Sequence, residues 1–276
     1  MKNIHTFLII FLAASFSISC QSSKRIAEPA IKDDHLVKGD FSIIKTDKLG
    51  FIYLVSEDNE ILKYDSKLNL TYKFSVNTLG EISSIDISNP QKVLVYYPDY
   101  QNIVFLDTTL SEIERLNLEN LNFWDIQGVA LSTDNLIWIY DPINYRLIKI
   151  DYSGNVIISS NESFFGEGEE ALNQKIYALE NHVYLYSDNE LLVFDIFGQK
   201  LQTIKINNQT IQFIRKQYAV LNNNEIKLGN LNISFIEKKE STLYAAQDRN
   251  IKDFSLLDNV LYLIDEGGLF KIDLGK

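Results

Sequence analysis

Gly50-Phe51-Ile52-Tyr53-Leu54-Val55-Ser56-Glu57-Asp58-Asn59-Glu60-Ile61-Leu62-Lys63-Tyr64-Asp65 is the stretch that decides the fold. Two runs rich in strand formers, 51–56 and 60–65, flank Glu57-Asp58-Asn59, whose polar side chains suit a tight bend. The stretch therefore reads as a hairpin. Its ending returns along the chain as Phe105-Leu106-Asp107, Lys149-Ile150-Asp151, Val193-Phe194-Asp195 and Lys271-Ile272-Asp273, with a degenerate copy at Ile226-Lys227-Leu228-Gly229. From Asp65 onward, the final residues of successive copies are 42, 44, 44, 34 and 44 residues apart. A repeat near 42 residues holding about four short strands marks a β-propeller, with one blade per repeat.

Working outward, the first unit divides into strands over 41–46, 51–56, 60–65 and 70–76, and the third repeats this over 126–132, 136–141, 146–151 and 156–160. The second strands, among them Val93-Leu94-Val95-Tyr96 and Ile137-Trp138-Ile139-Tyr140, are apolar on both sides. A strand buried on both faces has this composition, and a blade wedged between two neighbours buries its middle strands in that way. The last unit stops after its third strand. An unpaired edge there invites aggregation, so a strand from Ala30–Lys38 is expected to complete the blade and close the ring. The expected fold is all-β, a six-bladed propeller of four-stranded antiparallel blades over 40–276, closed by an N-terminal strand.

The units resemble those of NHL and related, PQQ-like, six-bladed propellers, most closely where Gly50-Phe51-Ile52-Tyr53 leads to Lys63-Tyr64-Asp65. The resemblance spans residues 40–276. It implies a fold and not an activity.

Upstream lies a different kind of segment. Lys2 precedes an apolar run over 6–16, then Ser17-Ile18-Ser19-Cys20. About 11 apolar residues make roughly 16 Å of helix, too short for a hydrocarbon core of about 30 Å, so the run reads as a signal peptide over 1–19. Ser17-Ile18-Ser19-Cys20 resembles a bacterial lipobox, of the kind found in Bacteroidota among others, with Ser17 where Leu is commoner and Ile18 where Ala or Ser is. The resemblance implies acylation of Cys20, the only cysteine in the chain. Three acyl chains hold a protein at a membrane, whereas one binds only marginally. Residues 20–39 read as a lipidated tether that also contains the closing strand. The expected location is the outer membrane, facing the periplasm.

The full chain carries a formal charge of −11, with 26 basic and 37 acidic residues. Removing residues 1–19, which hold one Lys and no acid, leaves 25 minus 37, or −12. Such a surface opposes nucleic acid and anionic lipid.

The residues for chemistry are few. Only His35 and His182 follow the leader, which is a poor supply for a His-based metal site or a Ser-His-Asp triad. The innermost strands are expected to offer Lys45, Asp86, Gln127, Glu180, Arg215 and Asp253, a mixture of signs rather than the ring of oxygens a hard cation needs. Asp58, Asp99, Asp141, Asp188 and Asp265 fall between second and third strands, where turn chemistry accounts for them. Asp107-Thr108-Thr109 also matches a short bacterial O-glycosylation motif. No catalytic residue, cofactor or metal is expected.

In a propeller the inter-blade loops share an end of the ring with the turns between second and third strands. That end is expected to gather Tyr100, Phe123, Trp124, Tyr145, Phe164 and Phe165 among acidic neighbours. Apolar centres with charged rims suit protein interfaces. The reading is a membrane-anchored scaffold that binds another envelope protein. A carbohydrate or small-ligand binding module is the alternative, and a propeller hydrolase or lyase is disfavoured by the scarcity of histidine.

Overall fold

The computed structural model describes residues 36–162, 174–187, 190–205, 210–214, 216–231, 240–246 and 249–275. Among them are six four-stranded antiparallel sheets, five of them meanders of consecutive strands, arranged as the six blades of a propeller. Blade 1 holds β2 (Phe41–Thr46), β3 (Ile52–Ser56), β4 (Glu60–Tyr64) and β5 (Leu70–Ser75). Blade 2 holds β6 (Ser84–Asp86), β7 (Val93–Tyr97), β8 (Asn102–Leu106) and β9 (Glu112–Asn117). Blade 3 holds β10 (Val129–Leu131), β11 (Ile137–Asp141), β12 (Arg146–Ile150) and β13 (Val156–Ser159). Blade 4 holds β14 (Lys175–Ala178), β15 (His182–Tyr186), β16 (Glu190–Asp195) and β17 (Lys200–Lys205). Blade 5 holds β18 (Thr210–Ile214), β19 (Gln217–Asn222), β20 (Glu225–Asn230) and β21 (Ser241–Ala245). Blade 6 holds β22 (Asp253–Leu257), β23 (Val260–Asp265) and β24 (Gly268–Asp273), with β1 (Val37–Lys38) as its fourth strand.

The closing strand falls within the segment expected to supply it. Val37 pairs with Leu269 and Lys38 with Gly268. Leu36 N–H donates to the Leu269 carbonyl at 2.7 Å and Gly39 N–H to that of Gly267 at 3.4 Å. Lys252 reaches across to Asp40 and Glu57, tying blade 6 to blade 1 beside the junction.

The core is divided among the seams between blades. Alternate residues of a strand point to opposite faces, so Tyr53 and Val55 enter the seam with blade 2 while Ile52 and Leu54 enter the seam with blade 6. In the same way Val93, Val95 and Tyr97 of β7 face blade 1, and Leu94 and Tyr96 face blade 3. This is why the second strands are apolar without interruption.

Five hairpin turns share one construction. Asp47, Asp65, Asp107, Asp151 and Asp195 each accept, on Oδ1, the backbone N–H groups two and four residues ahead, at 2.8–3.0 Å. The residue three ahead, Gly50, Leu68, Leu110, Gly154 or Gly198, has positive φ. The Asp that ends four of the repeats, at 65, 107, 151 and 195, is therefore a turn cap. In two of them the Lys two residues earlier is buried against aromatic rings. Lys63 Nζ lies 4.4 Å from the Phe51 ring centre and donates to the Thr108 carbonyl of the next blade at 2.8 Å. Lys149 Nζ lies 4.8 Å from the Trp138 ring centre and pairs with Asp134 at 2.9 Å.

Candidate functional site

The innermost strand of each blade leaves one edge of N–H and C=O groups without a partner in its own sheet, and buried backbone groups must be satisfied somewhere. The polar residues of these strands do this across the seams. Asp253, buried at the start of β22, accepts the Ile44 N–H at 2.9 Å and pairs with Lys45 at 3.6 Å. Ser255 accepts the Thr46 N–H at 3.0 Å. Asp86 accepts the Leu131 N–H at 2.8 Å. Gln212 accepts the Leu256 N–H at 2.7 Å and donates to the Leu256 carbonyl at 3.2 Å. The Tyr177 phenol from β14 is held above its ordinary range by burial first and then by the Asp253 charge.

Of the six polar residues expected on inner strands, Lys45, Asp86 and Asp253 are there, stitching strand to strand. Gln127 precedes β10 and is exposed, and Glu180 lies in the turn between β14 and β15, so neither belongs to an inner strand. Gln127 falls outside because the first strand of blade 3 is shorter than the expected 126–132, and Glu180 because β14 ends at Ala178. At blade 3 the approach is pinned: Ile126 N–H donates to Gln101 Oε1 at 2.9 Å, and its carbonyl accepts from Gln101 at 3.1 Å. Arg215 lies outside the described residues. Gln212, Ser255 and Thr46 were missed, because nothing in one sequence distinguishes a stitching hydroxyl or amide from a surface one. His182 opens β15 half-buried, with its ring 6.1 Å from that of Tyr184. No cluster of three or more metal-ligating side chains occurs among the described residues.

The two ends of the ring differ. One end, the hairpin face, carries the turns between first and second and between third and fourth strands, including all five Asp-capped turns. The other, the loop face, carries the inter-blade loops and the turns between second and third strands. On the loop face, the last residue of the second-to-third turn has left-handed backbone at Asn59, Gln101, Tyr145 and Asn224. Three of these are amides that clasp the following inter-blade loop. Asn59 accepts the Ile82 N–H at 2.8 Å and donates to the Gly80 carbonyl at 2.7 Å. Gln101 holds Ile126 as above. Asn224 accepts the Ile251 N–H at 2.9 Å.

In blade 3 the same position is Tyr145, a bulky residue at φ 50° that is 46 % exposed. A left-handed backbone is uncommon for such a side chain. Beside it in the turn Ile143 is 56 % exposed, and from blade 2 the loop face adds Tyr100 at 59 % and Trp124 at 47 %. Asp99, Glu119, Asp125 and Glu162 are exposed on the same face. The Tyr100 carbonyl accepts from both Asn102 and Asn117, at 2.6 and 3.0 Å, and Trp124 lies two residues before Ile126, which Gln101 clasps.

Of the aromatic residues expected on this face, Tyr100, Trp124 and Tyr145 are exposed there. Phe123 is not: it packs half-buried against the seam between blades 2 and 3, because the chain turns inward between the left-handed residues Asn122 and Asp125. Phe164, Phe165 and Cys20 lie outside the described residues. Ile143 was missed, since a single aliphatic residue in a turn gives no signal of its own.

No protein-family model and no curated protein matches the sequence. Among solved structures the chain is similar to a streptogramin B lyase, at 11 % identity and a TM-score of 0.55, over 85 % of this chain and 93 % of that one. It is also similar to an inactive virginiamycin B lyase from Staphylococcus aureus bound to quinupristin, at 10 % identity and a TM-score of 0.53, over 88 % of each chain. BamB from Moraxella catarrhalis aligns at 11 % identity and a TM-score of 0.47, over 83 % of this chain and 80 % of that one. At such identities likeness speaks for architecture alone, and this chain is a six-bladed β-propeller of four-stranded antiparallel blades.

Proposed function

We propose that this protein is a lipid-anchored envelope protein without enzymatic activity, one that binds another envelope protein through the loop face of blades 2 and 3. The observation that carries the reading is Tyr145: where three other blades place a loop-clasping amide, blade 3 exposes an aromatic ring in strained backbone, beside Ile143, Trp124 and Tyr100. Strain and exposure kept together at one site point to function rather than to packing. Among the described residues, Asp86, Gln212, Asp253 and Ser255 of the inner strands bond across the seams, which supports a structural use of these groups. The acidic rim favours a partner whose contact surface is apolar at its centre and cationic at its edge. Acylation at Cys20, the outer membrane and a periplasm-facing orientation belong to the same proposal and rest on the lipobox-like sequence.

The test is affinity capture from detergent-solubilised envelopes with the full-length protein and its Trp124→Ser, Tyr145→Asn variant. Tyr145→Asn installs the kind of amide used by three other blades, so the variant should fold as well as the parent. Loss of a stoichiometric partner in the variant is the expected result. Equal capture by both proteins sinks the reading, and so does glycan-array binding abolished by the same substitutions with no protein captured.

A further inference from the structure

The hairpin face carries a second feature that the loop-face reading leaves unused. The five Asp-capped turns on it have one geometry but different tips. Between the capping Asp and the positive-φ residue stand Ser66-Lys67, Thr108-Thr109 and Tyr152-Ser153 in three turns, and Lys48-Leu49 and Ile196-Phe197 in the other two. Since polar pairs satisfy the same turn, the turn does not require Leu49, Ile196 or Phe197. Phe197 is 74 % exposed and Leu49 65 %, the two highest values among the exposed large apolar side chains of the described residues. They sit on blades 1 and 4, at opposite sides of a six-bladed ring, and so mark two separated points on one plane.

The direction of β1 sets the end of the ring at which the chain enters the propeller. As the fourth strand of blade 6, β1 runs from the hairpin face towards the loop face, antiparallel to β24. Its N-terminal end therefore points to the hairpin face. Cys20 lies 16 residues before Leu36, 36 minus 20. At no more than about 3.6 Å per residue, that length of chain reaches at most about 58 Å whatever its course.

We propose that the hairpin face rests on the lipid surface, with Leu49, Ile196 and Phe197 entering the interfacial layer and the loop face turned away towards the partner. Aromatic and aliphatic tips partition into the boundary between headgroups and acyl chains. The chain's net negative charge opposes attraction to anionic lipid, so the contact is expected on a zwitterionic bilayer. The proposal rests on acylation at Cys20.

The molecule supplies its own control, because Trp124 is on the loop face and Trp138 is buried. The acylated full-length protein is bound to phosphatidylcholine vesicles with brominated acyl chains, once with Trp124 as the reporter and once as a Phe197→Trp, Trp124→Phe variant. The expected result is loss of emission from the residue-197 reporter and none from Trp124. A reporter at 197 quenched no more than Trp124 overturns the proposal. A blue shift at 197 that grows with protein concentration in the absence of vesicles overturns it too, since a second copy then covers the face. Mass spectrometry and vesicle flotation examine the anchor separately: protein that is unacylated and does not float fails the anchor reading and takes this one with it. Flotation without quenching overturns only the assignment of the face.

Discussion

The ring closes through two residues of β1, and Gly268→Ala tests how much of its stability depends on them. Gly268 has φ 137°, and a Cβ there would stand 2.1 Å from the Val37 carbonyl oxygen and 3.0 Å from the Lys38 Cα, both backbone atoms that cannot rotate away. The side chain must displace β1 or bend β24. Displacing β1 loses the Leu36 and Gly39 backbone bonds, at about 1 kcal/mol net each. Holding an L-residue at positive φ adds about 1 kcal/mol or more. The expected loss is about 3 kcal/mol, which in a domain of this size lowers the melting temperature by roughly 6–12 °C.

Gly275→Ala is the matched control, because Gly275 also has positive φ, at 71°, but nothing within 4 Å of the added carbon. Its expected cost is the backbone term alone. Calorimetry on both variants gives the comparison, and hydrogen exchange locates the damage. Protection should fall in β24 and β2 and persist in β11 and β12. Equal melting temperatures for the two variants, or an even loss of protection around the ring, would refute the argument that two residues hold the closure.

Other outcomes follow from single contacts. Asp253→Ala removes the acceptor for the Ile44 N–H and the partner of Lys45 at a buried site, and should cost about 2–4 kcal/mol by urea denaturation; a loss under 1 kcal/mol would show that the innermost strands hold without it. The Tyr97 hydroxyl is buried without a hydrogen-bond partner among the described residues, and burial pushes its pKa up to about 12. Tyr97→Phe should therefore raise stability by about 1 kcal/mol, and a clear loss would reveal a partner for the hydroxyl. Asp65, Asp107 and Asp151 are held below the usual 3.8, chiefly by the Asn69, Thr109 and Asn155 side chains and by turn amides. A carboxyl depressed on folding adds stability above its unfolded pKa and loses it as the pH falls through its folded pKa. Acid titration monitored by circular dichroism should then show stability declining below about pH 4, less steeply in the triple Asp→Asn variant, whose amide oxygens still cap the turns; an unchanged slope would contradict the capping role.

Much of the architecture was legible because it is built from local chemistry repeated six times. Residues 50–65 hold both strands of a hairpin and the Asp that caps the next turn, and each return of that pattern announces a blade. The unbroken apolar second strands were legible too, since only a strand pressed between two neighbours needs both faces apolar. The loop face was legible in part. Tyr100, Trp124 and Tyr145 follow from placing aromatic residues in turns that topology sends to one end, whereas Phe123, one residue from Trp124, turns into a seam by virtue of two left-handed residues that no periodicity records. The inner ring was legible only as a set of polar positions. Lys45, Asp86 and Asp253 were found, but their role as stitches depends on which N–H of the next blade stands opposite.

The sequence by itself determined the number of blades, the order of strands within each, the source of the closing strand and the chemical character of the residues before Cys20. These are properties of neighbours in the chain, where turn capping and alternation act over a few residues. Only the tertiary structure sets Tyr145 and Phe197 apart from the other aromatic residues. Tyr145 gains meaning when compared with Asn59, Gln101 and Asn224, which occupy the same place in other blades and reach a loop more than 20 residues ahead. Phe197 gains it from sharing a face with Leu49 and with the entering end of β1. Relations of that kind depend on the closed ring, which brings the first strand beside the last and gives the molecule two distinct ends.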